Sequence, residues 1–486
     1  MRESEKIFYY FKEFFETSHF TAYSVLLLIL IGTWKYTRIR IKLSPRTYFF
    51  LFTGIGLVLR IAWIVFSSYS PKAAWDTHHM LESDVTNVHA IELTQGVWFH
   101  GSNGQPTAHR PIGYSLFLGA LYKLFGVHDS VVWISSLFFY LVTSALLYAI
   151  SKKIFSEEAA AWAAAFFALY PISIYSIKLV SDEHLFLPLW YAGLWLMLKE
   201  AEKKPVKAAW LWYGLLFGYA TMTRTHTIFM PVAVAWLYFR LRYSWRKVIG
   251  AALAVLVVMQ LLNLPWVIRN YKVWGVPVLY TATGYYVYSR VNSFATAEGA
   301  GKIPQAGEEG YSEELDREDV KNSEGKYHAI CSGLMTRWIL SHPVNFAVMG
   351  VTRALIFFGI SRNGVWPIWF QYYEGSYDPA RPLAQPLRDF FEEIAYFAYY
   401  FLFYTAVFAV GLLSWGRRAV SGPSKPGISV IALCFLFWTM EQMVIYPDRK
   451  YRFPLEPLMM IFSAFFLNYL FREFRWQKLK PVFKRK

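Results

Sequence analysis

The chain has 486 residues, 56% of them hydrophobic and 20% aromatic, with a mean hydropathy of +0.28. That excludes an ordinary soluble globular protein, and several apolar runs approach the roughly 20 residues a helix needs to cross a bilayer. A formal net charge of +16 raises nucleic acid as a partner, but the placement of that charge removes the reading.

The first residues are mixed-charge and aromatic and carry no small-residue cleavage pattern of a secretory signal. Apolar runs then suggest membrane spans at 20–34 (short), 48–68, 131–150, 159–177, 185–198, 208–222, 227–239, 248–267, 390–415, 428–445 and 454–470. The expected fold is therefore all-α, a polytopic membrane protein of about 10–11 transmembrane helices with external amphipathic helices. Cys331 falls in a loop and Cys434 in an apolar helix on this reading, so no disulfide is expected.

Six connections, 35–46, 151–158, 199–207, 240–247, 416–427 and 472–486, hold 25 Lys and Arg against five acids. Their surplus exceeds the charge of the whole chain, so everything else is net acidic. Basic connections mark the cytoplasmic side, and the charge is a topology signal rather than a nucleic-acid footprint. Because 35–46 and 151–158 share a side, an even number of spans separates them. The runs 48–68 and 131–150 supply two, so the apolar run 112–125 is an external surface helix. The same parity makes 342–360, with its internal Arg353, an external interfacial helix.

Segment 292–326, with nine acids from Glu298 to Glu324, reads as a mobile surface excursion without its own core. The domain reading is a 1–46 N-terminal segment, a 47–270 catalytic module whose first external loop is 69–130, a 271–389 external region, and 390–486 with the last spans and a basic tail.

The stretch from Asp84 to Gly126 organises the rest. Asp84 opens an amphipathic helix with Val85, Val88 and Ile91 on one stripe. As a first-turn acid it would stabilise that helix terminus; as a general base it would deprotonate an acceptor hydroxyl. Arg110, in His109-Arg110-Pro111, opens the second surface helix, placed for a lipid headgroup or for a substrate phosphate. Asp182 and Glu183 lie at an external tip in LVSDEHLF, as does Arg224 in TMTRTHT. Arg269 with Asn270 follows a span in LPWVIRNY, and Arg452 lies in PDRKYRFP between the last two spans. These basic groups stand on the side that the charge rule disfavours, and a phosphate-bearing substrate gives them a reason to be there. Ionisable groups are scarce mid-span, and paired broken helices are absent. Both observations weigh against a transporter. The histidines match no metal-ligand spacing, so no cofactor is expected, with a divalent metal left open.

Five stretches in order, Asp84 followed by Ala90, Leu93 and Gly96, then HRPIGYSLFLGALYKLFG, YPISIYSIKLVSDEHLF, LPWVIRNYKVWGVPVLYTATGYYVYSRVN and YRFPLEPLMM, carry a family resemblance. The chain resembles the polyprenyl-phosphate-sugar-dependent glycosyltransferases of the GT-C fold, nearest to the protein O-mannosyltransferase and aminoarabinose-transferase group. The resemblance implies a polyprenyl-phosphate-linked sugar as donor, inverting transfer, and a glycan, lipid or protein hydroxyl as acceptor. Asp84 then matches the catalytic Asp, with Glu183 and Asp182 as further acids. Arg110, Arg269, Arg224 and Arg452 would face the donor phosphate, and His109, Tyr114, Asn270 and Tyr285 the substrates. The expected location is the cell (inner) membrane with the site on the external or periplasmic face, among membrane lipids and without nucleic acid. The alternative is a transporter or flippase of a lipid-linked saccharide.

Overall fold

A computed structural model describes residues 44–66, 82–101, 104–202, 206–359, 384–415, 424–445, 447 and 449–473; the expected span at 20–34 lies outside them. Among the described residues the chain is helical without a strand. In order come α1 (Pro45–Phe66), α2 (Glu82–Thr94), α3 (Gly113–Phe125), α4 (Asp129–Ile154), α5 (Glu157–Leu169), α6 (Pro171–Tyr175), α7 (Glu183–Ala201) and α8 (Ala209–Thr223). They are followed by α9 (Met230–Arg240), α10 (Trp245–Trp274), α11 (Ala282–Arg290), α12 (Glu324–Ser341), α13 (Pro343–Phe357), α14 (Ala384–Trp415), α15 (Ser424–Val444) and α16 (Glu456–Glu473).

Among the described residues, five helical stretches are long and apolar enough to cross a membrane alone: Pro45–Phe66, Asp129–Ile154, Trp245–Trp274, Lys425–Val444 and Tyr451–Leu470. The number reaches seven if two bent pairs each count as one span. The protein is therefore a multi-pass membrane protein. α10 shows why composition suffices there: Ile249, Leu253, Val257, Leu261, Leu264 and Ile268 form an exposed stripe three and four residues apart, the face a helix turns to lipid. α7, α8 and α9 are shorter, and each turns one face inward, with Trp210, Trp212 and Val232 exposed on the outer faces of α8 and α9. Leu194, Phe217 and Val234 are buried in one core with Trp190 and Trp438.

Ion pairs show which helix ends coincide. At one end Arg46 Nε lies 3.0 Å from Glu157, Lys152 Nζ 3.0 Å from Glu157 and Lys153 Nζ 2.6 Å from Glu202. At the opposite end Arg224 meets Asp182, and His226 meets Glu441. α4, α5 with α6, α7, α8 and α15 therefore run between a basic end and an opposite end, the alternation that parity required.

α5 starts at Ser156, whose side chain accepts from the Ala159 amide at 3.2 Å, with Glu157 and Glu158 in its first turn. It ends at Pro171, which has no N–H and forces a 54° bend. The carbonyls freed there are satisfied from α1. Fully buried Arg60 donates to Phe167 O at 3.2 Å and Ala168 O at 2.9 Å, with its carbon 3.7 Å from the Tyr140 ring centroid. The 342–360 run forms α13, bent 104° against α12. Its Arg353 is fully buried and donates to Val444 O at 3.1 Å and Thr296 O at 3.1 Å. That side chain packs against the end of α15 instead of lying at an interface.

Three expectations are corrected. Segment 292–326 has a core: Ala297 and Leu315 are buried against α11, α12 and α13, and Asn292 Nδ2 donates to Lys302 O at 2.8 Å. A few well-placed apolar side chains outweigh the acidic composition. Cys331 is buried in α12 rather than lying in a loop, and both cysteines are free. On α2 the inward face is Asn87 and Ala90, while Val88 is exposed. Gly119 of α3 permits the approach, since a Cβ there would lie 3.0 Å from Ala90 O. Asn87 is satisfied by the Tyr122 hydroxyl at 2.8 Å.

Candidate functional site

The two surface helices are held over the opposite end of the bundle by one apolar cluster. It joins Ala90 of α2 and Tyr114, Leu118 and Tyr122 of α3 to Val132 and Phe139 of α4, and to Val180 and Leu185 beside the α7 start. Asp84 lies in the first turn of α2, and its side chain falls outside the described residues. A glycine sets the next position. A Cβ on Gly113 would lie 2.7 Å from the Thr223 amide nitrogen, so only glycine lets α3 start against the end of α8. The Tyr219 hydroxyl fastens the contact on Gly113 O at 3.0 Å. This brings the His109-Arg110 turn beside the residue that follows α8, Arg224.

Arg224 is 7% exposed. Its Nη2 donates to Asp182 Oδ1 at 2.9 Å and also to Glu183, whose other oxygen accepts from the Ser181 hydroxyl. Its Nε and Nη1 are buried and have no hydrogen-bond partner among the described residues, and its carbon lies 5.5 Å from the Tyr451 ring centroid. Glu183 is buried, whereas the Asp182 side chain retains 28% exposure. Burial works against the Asp182 charge, but Arg224 outweighs it, with Arg110 adding to the effect, and the carboxyl is held below its ordinary value. Burial, then the neighbouring Arg110 charge, push His109 below the ordinary imidazole value. The structure thus brings together Asp182, Glu183, Arg224, Arg110 and His109, groups separated by up to 115 positions.

Other expected site residues are placed elsewhere. Arg452 is 1% exposed, pairs with Glu456 at 3.0 Å and donates to Phe357 O at 2.8 Å; it is enclosed and cannot reach a donor phosphate. Arg269 is half-buried, and its guanidinium is spent on the chain itself, with Nη1 donating to Thr107 O at 3.1 Å and Nη2 to Phe99 O at 3.3 Å. Asn270 is fully buried and donates to Val278 O at 2.8 Å, which braces the turn after α10 and leaves no edge for a substrate. Tyr114 is 1% exposed inside the apolar cluster, a packing position. Tyr285 lies on α11, and its side chain falls outside the described residues.

Two constellations escaped the sequence. His226 Nδ1 lies 2.6 Å from Glu441 Oε2, with the imidazole 4.3 Å from the Trp438 ring. Glu324 gathers the Thr107 hydroxyl, the Ala108 amide and the Thr281 hydroxyl at 2.8, 3.1 and 2.8 Å. Glu441 sits within an apolar run and Glu324 among eight other acids, so neither stood out. Among the described residues no three His, Cys, Asp or Glu side chains come together as a metal site.

Residues 109–268 match the family model of the dolichyl-phosphate-mannose-protein mannosyltransferases. No curated protein matches the chain. Among solved structures, the Archaeoglobus fulgidus oligosaccharyltransferase AglB in complex with an inhibitory peptide and a dolichol-phosphate aligns at 13% identity and a TM-score of 0.48, over 91% of this chain and 52% of that one. The same organism's oligosaccharyltransferase in complex with Zn and sulfate aligns at 12% identity and a TM-score of 0.49, over 90% and 50%. This chain therefore spans about half the length of those structures. Over residues 109–268, the stretch that holds His109, Arg110, Asp182, Glu183 and Arg224, the chain is similar to the dolichyl-phosphate-mannose-protein mannosyltransferases, the group its motifs resemble.

Proposed function

We propose that the protein is an integral membrane glycosyltransferase. It moves a sugar from a polyprenyl-phosphate donor to a hydroxyl on a glycan, lipid or protein, at the external face of the cell membrane. The observation that supports this best is the coincidence of the family match with the charged cluster at the non-basic end of the bundle. The basic end faces the cytoplasm by the charge rule, so the cluster faces outward.

A sugar on a lipid phosphate carries a ready leaving group. The protein has to stabilise negative charge that develops on the phosphate and bring an acceptor oxygen to the opposite face of the sugar. Arg110, at the entrance to α3, and the Arg224 charge beside it supply the positive field. Arg269 and Arg452 do not take part directly, because their donors are engaged within the chain. Asp84 removes the acceptor proton. As the acceptor oxygen bonds to the anomeric carbon, the carbon–oxygen bond to phosphate breaks with inversion, and the polyprenyl phosphate leaves within the bilayer. Asp182 and Glu183 hold Arg224 at the membrane boundary.

The test is the full chain in lipid nanodiscs given radiolabelled dolichyl-phosphate mannose and a panel of hydroxyl acceptors. Asp84→Asn abolishes transfer while membrane insertion persists. Normal transfer by that variant removes Asp84 as the base. Movement of the intact donor between leaflets without a covalent product identifies a flippase instead.

A further inference from the structure

The turn that presents His109 and Arg110 is held from a distant part of the chain. Glu324 is the first residue of α12, more than 210 positions away. One of its oxygens accepts from the Thr107 hydroxyl, and the other from the Ala108 amide and the Thr281 hydroxyl, at 2.8, 3.1 and 2.8 Å. The Thr281 amide donates back to Ala108 O at 2.9 Å, and the Thr107 hydroxyl oxygen accepts from the His109 amide at 3.1 Å. The carboxylate thus closes a ring of hydrogen bonds around the two residues that precede the site.

The approach of α12 is built in independently. A Cβ on Gly325 would lie 2.7 Å from Trp274 Cβ and 2.6 Å from Val276 Cγ2, so glycine next to Glu324 lets α12 dock on the end of α10. Arg269, from that same end, donates to Thr107 O and Phe99 O. Phe99 and Thr107 are therefore held through their carbonyls by a guanidinium, and Thr107 and Ala108 through their donors by a carboxylate. Both groups are half-buried, where charge-assisted hydrogen bonds exceed neutral ones in strength.

We propose that Glu324 is the positioning residue of the site: it fixes the Thr107–Arg110 turn so that Arg110 meets the donor phosphate. The proposal rests on the reading of Arg110 as a phosphate ligand. Glu324 itself touches no substrate. It makes the external segment ahead of α12 a structural part of the site, not an appendage.

Two readouts on the full chain in nanodiscs test this. The first is amide hydrogen exchange, which needs no substrate. In Glu324→Ala the Ala108 and His109 amides exchange roughly tenfold faster or more, with α4, α10 and α15 unchanged, because the Ala108 amide loses its acceptor. In Glu324→Gln they stay near wild type: the amide oxygen still serves Ala108 and Thr281, and its NH₂ donates to the Thr107 hydroxyl oxygen. Thr281→Val, which removes one contact, gives an intermediate rate.

The second readout is steady-state transfer from dolichyl-phosphate mannose. Glu324→Ala raises the donor KM by roughly tenfold or more, as misplacement of a binding group does, and Glu324→Gln leaves it within about threefold. Unchanged exchange at Ala108 and His109 in Glu324→Ala overturns the proposal. So does a Glu324→Gln variant as damaged as Glu324→Ala, which would assign the effect to charge. A wild type that exchanges as described but transfers no mannose leaves the positioning intact and counts against the reading of the reaction.

Discussion

Arg224 donates to Asp182 at 2.9 Å across 42 positions of sequence, each residue standing at the tip of a different pair of membrane helices. One guanidinium nitrogen serves both Asp182 and the buried Glu183. Two buried or partly buried acids against one cation is an arrangement that costs desolvation energy, and only close pairing offsets it.

Removing the cation should therefore be more damaging than removing the exposed acid. Arg224→Ala strips Asp182 and the buried Glu183, whose carboxyl burial pushes up to about 8, of their shared donor, and a loss of about 1–3 kcal/mol is expected. Asp182→Asn, at the exposed acid, should cost less. Thermal unfolding of the two variants in the same detergent checks the order. Equal stabilities would show that Arg224 is not what makes the buried Glu183 tolerable.

The pair also predicts a pH response. The Asp182 carboxyl is held below its ordinary value of 3.8 when folded. Its contribution is then fully present above that value and is lost as pH falls below it, through the folded pKa. Burial pushes the neighbouring Glu183 carboxyl up to about 8, so the stability difference between wild type and Asp182→Asn should stay constant only from about pH 6 to about pH 5, and should shrink below about pH 4. A difference that already changes between about pH 7 and 6 would tie it to Glu183 or a histidine rather than to Asp182.

Gly113 makes a steric prediction. A Cβ there meets the Met222–Thr223 backbone at 2.7 Å, and backbone cannot rotate away as a flexible side chain does. Gly113→Val should push the start of α3 off α8, moving Arg110 away from Arg224. Overpacking of this kind costs about 1–3 kcal/mol. A cross-link between cysteines introduced at positions 110 and 225 reports the displacement; unchanged cross-linking in the Val background would contradict it.

Arg269 separates two roles that sequence leaves merged. If its charge binds a phosphate, lysine should largely replace it. If its forked donors hold Phe99 O and Thr107 O, lysine cannot reach both. Arg269→Lys should raise exchange in loop 99–108 and lower transfer by about tenfold, the effect of losing roughly one charge-assisted hydrogen bond. Full activity with unaltered exchange would restore the phosphate role.

Arg60 is expected to be the most sensitive residue inside a span. It satisfies the carbonyls that Pro171 sets free, and it stacks on Tyr140. Arg60→Leu leaves Ala168 O without the Arg60 donor and Phe167 O with only a 3.4 Å bond from the Tyr170 amide, and an unsatisfied buried acceptor costs about 1–3 kcal/mol. Expression and thermal stability should fall even though the substitution makes the span more hydrophobic. A variant as stable as wild type would show that the bend at Pro171 needs no partner.

Much of the architecture was legible before the structure. The runs around 48–68, 131–150 and 248–267 became α1, α4 and α10 because apolar length is a local property that the bilayer reads directly. The run 112–125 forms the 13-residue α3, too short to cross a bilayer by itself. Segment 292–326 was misjudged because overall composition hides a small number of apolar anchors such as Leu315 and Val320. At the site, Asp182, Glu183, Arg224 and Arg110 were each visible as charges on the disfavoured side. Arg452 looked the same but is enclosed with Glu456.

The sequence by itself determined that this is a membrane protein of many helices, which end of each helix is basic, and which family its motifs resemble. Those properties are sums over neighbouring residues. Tertiary structure alone decided which arginines are engaged by carbonyls and carboxylates within the chain, and that Glu324 joins the Arg110 turn to a distant helix. A guanidinium or carboxylate carries the same charge in every setting. Its role depends on the partners within hydrogen-bond reach, and those partners lie up to 217 residues away.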